Sequence, residues 1–93
     1  DALAGARQRV LMARHAWEAE EYRTAIIDAS AAADLAQTVH GPFLDDDRDR
    51  RILLDELRRA AIDPKRPVLP GDAIRALEAA GGLLDGKLQS EAS

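Results

Sequence analysis

Apolar residues recur at steps of three and four along the first part of the chain, and this spacing constrains the fold most strongly. In the first segment the repeating residues are Leu3, Ala6, Val10, Ala13 and Trp17. A period near 3.6 places such residues on one stripe of an α-helix. The same spacing continues from Tyr22 to Val39. Because β-branched residues are few and no stretch alternates apolar with polar residues, the sequence predicts an all-α fold.

Polar and helix-breaking residues divide this pattern into segments. Glu20 and Glu21 interrupt the apolar stripe, either as a tight connection or within a continuous helix. Gly41-Pro42 ends the second segment, since proline cannot continue a helix and glycine caps one well. Asp45-Asp46-Asp47 predicts the start of a third helix, because carboxylates cap the free N–H groups and complement the helix dipole. The predicted helices span about 2–20, 22–40, 45–61 and 72–88.

Prolines and glycines organise the C-terminal third. The segment 63–70 holds three prolines in eight residues, which predicts an extended and fairly stiff linker. The fourth helix is expected to begin near Gly71-Asp72. Gly81-Gly82 either breaks this helix, leaving a short fifth C-terminal helix, or lies within it. Together the segments predict one domain over residues 1–93, folded as a small four-helix bundle.

Alanine supplies much of the apolar content, which limits the core. The hydrophobic fraction is 46%, but the only aromatic residues are Trp17, Tyr22 and Phe43. Alanine buries little area, so the core must be thin and its helices closely packed. A thin core in a 93-residue chain often depends on a partner or a second copy. We therefore expect a homodimer or a complex with another protein.

Net charge, apolar runs and cysteine content limit the partners and the cellular location that the sequence predicts. The net charge of −4 makes nucleic acid an unexpected partner, since sequence-independent binding depends on clustered basic charge. No apolar run approaches the ~20 residues that cross a bilayer, so we expect no membrane association. The chain has no cysteine, which excludes disulfides and fits a reducing compartment. A cytoplasmic location is the corresponding expectation.

The side chains that usually carry catalysis or bind metals form no recognisable pattern. His15 and His40 lack the spacing of a zinc site. Ser30, Ser90 and Ser93 lie in no nucleophile elbow and beside no histidine. The scattered glycines form no phosphate-binding loop. The sequence therefore predicts no catalytic residue, no cofactor and no metal.

One acidic segment is similar to the calcium loop of an EF-hand. Its first, third, fifth and twelfth positions carry carboxylates, as calcium requires because it takes six to eight oxygen ligands. The sixth position needs glycine for a sharp turn, and here it is Arg50. A capped helix start is therefore the favoured interpretation, with calcium binding as an alternative. The loop positions one, three, five, eight and twelve correspond to Asp45, Asp47, Asp49, Ile52 and Glu56.

Residues 16–26 resemble part of a tetratricopeptide repeat, a helix pair with spaced Trp, Tyr and Ala. Trp17, Tyr22 and Ala25 carry this similarity. Such repeats need about three copies to bury a core. No second copy is visible at the period of about 34 residues that this family uses.

Two other segments resemble HEPN-like helical bundles, a family found in RNA-directed toxins, antiphage systems and nucleotide-binding partners. Residues 21–33 look like the junction of its first two helices, and residues 72–84 look like its closing helix. The ribonuclease signature of that family is an arginine and a histidine close together near the last helix. No histidine follows His40, and the pair with suitable spacing, Arg9 and His15, lies in the first helix. The resemblance therefore implies the scaffold and its dimeric pairing without cleavage activity.

Three functional hypotheses follow, of which calcium binding by residues 45–56 is described above. The first is a non-catalytic module that binds itself or a protein partner through an apolar helix face. Its candidate partner-binding residues are Val68, Leu69, Leu83, Leu84 and Leu88, unless these residues close the core of the domain itself. The second is a degenerate HEPN-like domain associated with RNA or nucleotides. Its candidate phosphate contacts are Arg7, Arg9, Arg14 and Arg23.

Overall fold

The computed structural model describes residues 2–38 and 47–92, with side chains described over 3–38 and 47–85. These residues form four α-helices and contain no strand. The predicted all-α helical bundle is therefore confirmed. The helices are α1 (Ala2–Glu18), α2 (Tyr22–Ala36), α3 (Asp47–Ile62) and α4 (Pro70–Ala92). The predicted ends at 39–40 and 45–46 lie outside the described residues.

Helices α2 and α4 form the centre of the bundle. Each of them contacts the other three helices, whereas α1 and α3 lie on opposite sides of the α2–α4 pair. The centre is possible because the facing side chains are mostly alanine, which lets two helix backbones approach closely. Ala29, Ala32, Ala76 and Ala80 are fully buried there. The alanine-rich stripe of the sequence is thus the main packing surface of the molecule.

Larger side chains fill the two ends of the core. Ile26 on α2 is 1% exposed and is the largest fully buried apolar side chain among the described residues. Leu54 and Leu57 on α3 pack with it in the main cluster. A smaller cluster joins Leu3 on α1 to Leu84 on α4. The core is thin, as the composition predicts, because few bulky residues interleave with the alanines.

The connection between α1 and α2 is a tight turn, not a continuous helix. Glu20 has a φ of 63°, which is the left-handed conformation that often ends a helix. Its N–H donates to the carbonyl oxygen of Trp17 at 3.0 Å, and the N–H of Glu21 donates to that of Ala16 at 2.8 Å. These two bonds form a Schellman motif. Helix α1 therefore ends at Glu18, two residues before the predicted end.

The connection between α3 and α4 follows the proline pattern but ends earlier than predicted. Lys65 donates from its backbone N–H to Asp63 Oδ1 at 2.9 Å, which shapes the turn after α3. Helix α4 begins at Pro70, since proline is well suited to the first helical position. Asp72 Oδ2 accepts a hydrogen bond from the N–H of Leu69 at 3.4 Å and so caps the start of α4. The last residue of the predicted linker is thus helical.

Helix α4 runs through Gly81 and Gly82 to Ala92 without a break. The described residues therefore contain no separate fifth helix. Each glycine costs a helix interior about 1 kcal/mol relative to alanine. Packing of α4 against the other three helices offsets this cost. Gly82 also meets a neighbour closely, because a Cβ at this position would lie 2.7 Å from Cζ of Arg50 on α3.

Candidate functional site: a groove between α1 and α4

Helices α1 and α4 lie side by side in antiparallel directions and leave an open groove between them. Arg7 and Leu11 of α1 share one part of the groove with Asp85, whereas Trp17 shares the other part with Ile74. We name this feature the α1–α4 groove. Its α1 wall consists of Arg7, Val10, Leu11, Arg14, Trp17 and Glu18. Its α4 wall consists of Ile74, Leu77, Glu78, Gly81, Gly82, Leu84 and Asp85.

The groove follows the helix axes, because the residues on both walls recur at helical spacing. Val10, Arg14 and Trp17 succeed one another on α1, and Leu77, Gly81 and Leu84 do so on α4. The two parts of the groove have volumes of about 640 and 400 Å³ and share Arg14, Gly81 and Asp85. The two parts therefore adjoin each other at these three residues, and both are open to solvent.

The floor of the groove is apolar. Val10, Trp17 and Leu77 are half-buried and pack against the main core cluster. Leu11 lies in one part of the groove and Ile74 in the other, and they remain 49% and 40% exposed. Each of them borders half-buried apolar side chains, Val10 for Leu11 and Trp17 and Leu77 for Ile74, and grouped apolar residues of this kind are a feature of interaction sites.

Gly81 keeps the middle of the groove open. A Cβ at this position would meet no atom within 4 Å, so the space above it is empty. Any other side chain would project into the groove. The glycine therefore widens the groove at the point where its two parts meet.

Charged side chains rim the apolar floor unevenly. Arg7 and Arg14 belong to the α1 wall, and Glu18 lies at the far end of the same helix. On the α4 wall, Glu78 adjoins the Trp17 end, whereas Asp85 lines both parts of the groove. The rim thus carries two positive and three negative charges, with an acidic pair at one end.

Trp17 is the only tryptophan of the chain and lies in this groove. Its indole nitrogen is enclosed and has no hydrogen-bond acceptor among the described residues. The indole ring is held against the core by its apolar part. Its fluorescence can therefore report directly on what enters the groove.

The five partner-binding residues predicted from the sequence do not form one surface. Leu83 and Leu84 are 3% and 5% exposed, and they lie in the main and smaller core clusters, respectively. Val68 is half-buried against the main cluster, whereas Leu69 is 61% exposed at the start of α4. The side chain of Leu88 lies outside the described ones. Leu83 and Leu84 therefore lie in the core, which is the alternative that the sequence left open, because α4 turns this side toward α1 and α2.

Sequence reasoning missed Leu11, Ile74 and Gly81 as groove residues. Leu11 was visible as an apolar residue beyond the stripe through Val10, and Ile74 as one beside Ala73. Neither could be assigned to a groove without knowing that α1 and α4 are neighbours.

The predicted phosphate-contacting arginines do not converge. Arg23 is occupied within the chain, since its guanidinium donates to the backbone carbonyl oxygens of Ala61, Asp63 and Arg66. Arg7 and Arg14 rim the groove. Arg9 lies two positions from Arg7, roughly 200° around the helix. The described structure therefore gives the RNA hypothesis no common basic surface.

The acidic segment does not form a calcium loop where it is described. Residues from Asp47 onward belong to α3, whereas Asp45 lies outside the described residues. Within a helix, Asp47 and Asp49 point to different sides, so they cannot converge on one ion. No group of three or more His, Asp or Glu side chains could hold a metal in the described part of the chain. The structure therefore favours a helix start over a calcium loop, and the residue before Asp47 lies outside the described residues.

Asp47 is buried although it belongs to a strongly charged segment. It is only 1% exposed, and its Oδ1 lies 3.4 Å from Nη1 of Arg50 in the same helix. Asp49, in the same first turn, is exposed.

The residues considered for catalysis remain apart. His15 is exposed and lies 3.9 Å from Oε2 of Glu18, while His40 is outside the described residues. Ser30 is buried in α2, and its hydroxyl has no hydrogen-bond partner among the described residues. None of the helices in the described part has both the length and the apolar content needed to cross a bilayer.

The chain matches no protein-family model and no curated protein or solved structure. The resemblances to HEPN-like bundles and to tetratricopeptide repeats therefore stay predictions.

Proposed function

We propose that this protein is a non-catalytic interaction module and that its α1–α4 groove receives an amphipathic helix of a protein partner. The observation that carries the proposal is the pair of adjoining apolar pockets between α1 and α4, which meet at Gly81 and are lined by exposed Leu11 and Ile74. Helix-in-groove recognition uses such an apolar groove, with anchors at positions i, i+3 or i+4, and i+7 of the incoming helix.

The shape of the groove favours a helix over a small molecule. Pockets for small molecules enclose most of their ligand. This groove is open to solvent, and its walls repeat at helical spacing from Arg7 to Glu18 on α1. An incoming helix could therefore pack its apolar residues onto Val10, Trp17 and Leu77 while its polar face stays in water.

The chemistry of the lining also favours binding over catalysis. The walls carry no serine, threonine or histidine, so they offer no activated nucleophile of the usual kind. The charged groups instead lie on the rim, where they select the direction and the charge pattern of a partner.

A single reactive probe can test this proposal, because the chain contains no cysteine. We would replace Ile74 with cysteine, attach a benzophenone maleimide and irradiate the protein with candidate partners from its own cells. Any captured polypeptide would then be purified and titrated against the unmodified protein while Trp17 emission is recorded. We expect saturable binding that changes the Trp17 emission, since Trp17 lies in the groove.

Two matched variants assign the binding to the groove. Gly81→Arg fills the groove, whereas Gly71→Arg introduces the same side chain into the first turn of α4, outside the residues that line the groove and about 15 Å along the helix from Gly81. Neither position has an atom within 4 Å of a new Cβ, so both variants should fold. We expect Gly81→Arg to abolish binding and Gly71→Arg to retain it. Equal binding by both variants would contradict the proposal. Equally efficient capture of the same polypeptide by a probe on exposed Leu69 would also contradict it.

A further inference from the structure

The charge order along α1 identifies one occupant of the groove. We infer that the α1–α4 grooves of two copies of this chain face each other, with their α1 helices antiparallel; this dimer rests on the function proposed above. The second copy thereby covers Leu11, Trp17 and Ile74, which the single chain leaves partly exposed.

The charges of α1 are strongly segregated. Arg7, Arg9 and Arg14 lie in its first fourteen residues, and its only acidic residue is Glu18 in the last turn. Glu18 in the last turn is unfavourable for the helix dipole, which favours basic residues near the C-terminus. The two halves of α1 thus present charges of opposite sign, an order that another molecule can recognise.

The groove charges also lack strong partners within the chain. Arg7 and Arg14 form no ion pair among the described residues, and neither do Glu78 and Asp85. Glu18 has only exposed His15 at 3.9 Å. These five groove charges are thus available to another molecule.

An antiparallel second copy satisfies these charges in the correct order. A two-fold axis midway between Arg7 and Glu18 places Arg7 of one copy opposite Glu18 of the other, and the reverse. The same axis brings Arg14 toward the level of Asp85 of the second copy, because Asp85 lies beside the N-terminal part of α1. Parallel α1 helices would instead place Arg7 against Arg7. The charge order therefore selects the antiparallel arrangement.

An exposed apolar residue of α1 lies close to this two-fold axis. Leu11 lies within two positions of the midpoint between Arg7 and Glu18, so it occupies the centre of the interface. It is 49% exposed in the single chain. Central apolar side chains supply most of the affinity of an interface, while charged rims supply orientation. Gly81 gives the approaching helix its room.

Single cysteines can measure this geometry directly. About the proposed axis, the two copies of residue 11 are offset by about 4–5 Å along the helices, whereas the two copies of residue 7 are roughly 16 Å apart. A short bismaleimide should therefore link Leu11→Cys into covalent dimers. Arg7→Cys and Glu18→Cys should each link poorly alone but link to each other when mixed. Efficient linking of Glu18→Cys to itself would overturn the antiparallel arrangement.

Charge reversal provides the second measurement, made by light scattering across a hundredfold concentration range. Arg7→Glu and Glu18→Arg should each weaken the dimer roughly tenfold, since symmetry places every change in the interface twice. The double variant should restore the dimer because the pair is re-formed with opposite polarity. A double variant no better than either single variant would overturn the pairing of Arg7 with Glu18.

The glycine variants separate this inference from the broader proposal. Gly81→Arg should yield a folded monomer, and Gly71→Arg should remain dimeric; a dimer that survives Gly81→Arg uses another face and overturns the inference. The wild-type chain could instead be monomeric while the probe at Ile74 captures a different protein and Gly81→Arg prevents that capture. In that case the inferred dimer is wrong, and the proposed interaction module is supported. If neither a dimer nor a groove-dependent adduct forms, both proposals fail.

Discussion

Arg23, in the first turn of α2, donates a hydrogen bond from Nη1 to the carbonyl oxygen of Asp63, forty positions later in the chain, at 2.8 Å. The same guanidinium donates to the carbonyl oxygens of Ala61 and Arg66. Carbonyl oxygens at the end of a helix have no partner within it, so a cation there satisfies them and complements the helix dipole. Arg23 thus ties the end of α3 and the following turn to α2.

We expect Arg23→Lys to lower the free energy of unfolding by about 1–3 kcal/mol. Lysine keeps the charge, but its single ammonium group cannot reach all three carbonyl oxygens as the planar guanidinium does. Urea denaturation followed by circular dichroism measures the change. The matched control is Arg58→Lys, whose exposed pair with Asp34 at 3.4 Å should contribute little. Equal losses for the two variants would show that the carbonyl contacts do not stabilise the fold.

Replacing Glu20 with glycine should stabilise the protein, whereas Arg23→Lys should destabilise it. Its φ of 63° is unfavourable for a residue with a Cβ, and glycine removes this penalty of about 1–2 kcal/mol. We therefore expect Glu20→Gly to raise the unfolding free energy by about 1 kcal/mol. Glu21→Gly is the control, because Glu21 has a φ of −92° and gains no relief. Glu21 is the N-cap residue of α2, where glycine is well tolerated but relieves no strain, so Glu21→Gly should not reproduce the gain expected at Glu20.

The two aspartates in the first turn of α3 should behave differently. Asp47 is 1% exposed and lies 3.4 Å from Arg50, so Asp47→Ala should cost about 1–3 kcal/mol of stability. Asp49 is exposed, and Asp49→Ala should cost only the dipole contribution of about 0.3–1 kcal/mol. Thermal unfolding distinguishes the two variants.

Calcium adds an independent check on the same segment. Because Asp47 and Asp49 lie in α3, we expect millimolar calcium to leave the melting temperature of the wild-type protein unchanged. A ligand that binds only the folded state raises this temperature. A calcium-dependent rise in melting temperature that disappears in Asp49→Ala would contradict this expectation and support calcium binding by the acidic segment.

The helices were predictable because their signal is local. The stripe from Leu3 to Trp17 needs only its own spacing, and α1 follows it. Helix ends were less predictable, since they depend on single backbone conformations. Glu20 adopts the left-handed conformation although its side chain does not favour it. Pro70 was read as linker, yet proline is equally suited to begin a helix.

The groove was not predictable, because it arises from contacts between distant segments. Leu11 belongs to a helix face whose neighbour, α4, begins about sixty residues later. Leu83 and Leu84 read equally well as partner-binding residues or as core. Only the packing of α4 decides that they are buried while Ile74 remains partly exposed. The burial of Asp47 likewise depends on where α3 packs, which local charge patterns do not reveal.

Gly81 and Gly82 are neighbours in sequence, yet alanine should affect them in opposite ways. Both are helical, and alanine favours a helix over glycine by about 1 kcal/mol. At Gly81 a Cβ meets nothing within 4 Å, so we expect Gly81→Ala to realise most of this gain. At Gly82 a Cβ would lie 2.7 Å from Cζ of Arg50, which must then move away from Asp47. We therefore expect Gly82→Ala to give no gain or a loss.

A double-mutant cycle can establish that Arg50 causes this difference. In an Arg50→Ala background the obstacle to a Cβ at position 82 is absent, so Gly82→Ala should then stabilise the protein by about as much as Gly81→Ala does. Gly81→Ala should give the same gain in both backgrounds, since Arg50 is not near it. Urea unfolding of six proteins supplies the free energies for this comparison. These proteins are the wild-type chain, Gly81→Ala, Gly82→Ala, Arg50→Ala and the two double variants that combine Arg50→Ala with each glycine change. If Gly82→Ala remains unfavourable without Arg50, the close approach of this side chain is not what requires a glycine in the middle of α4.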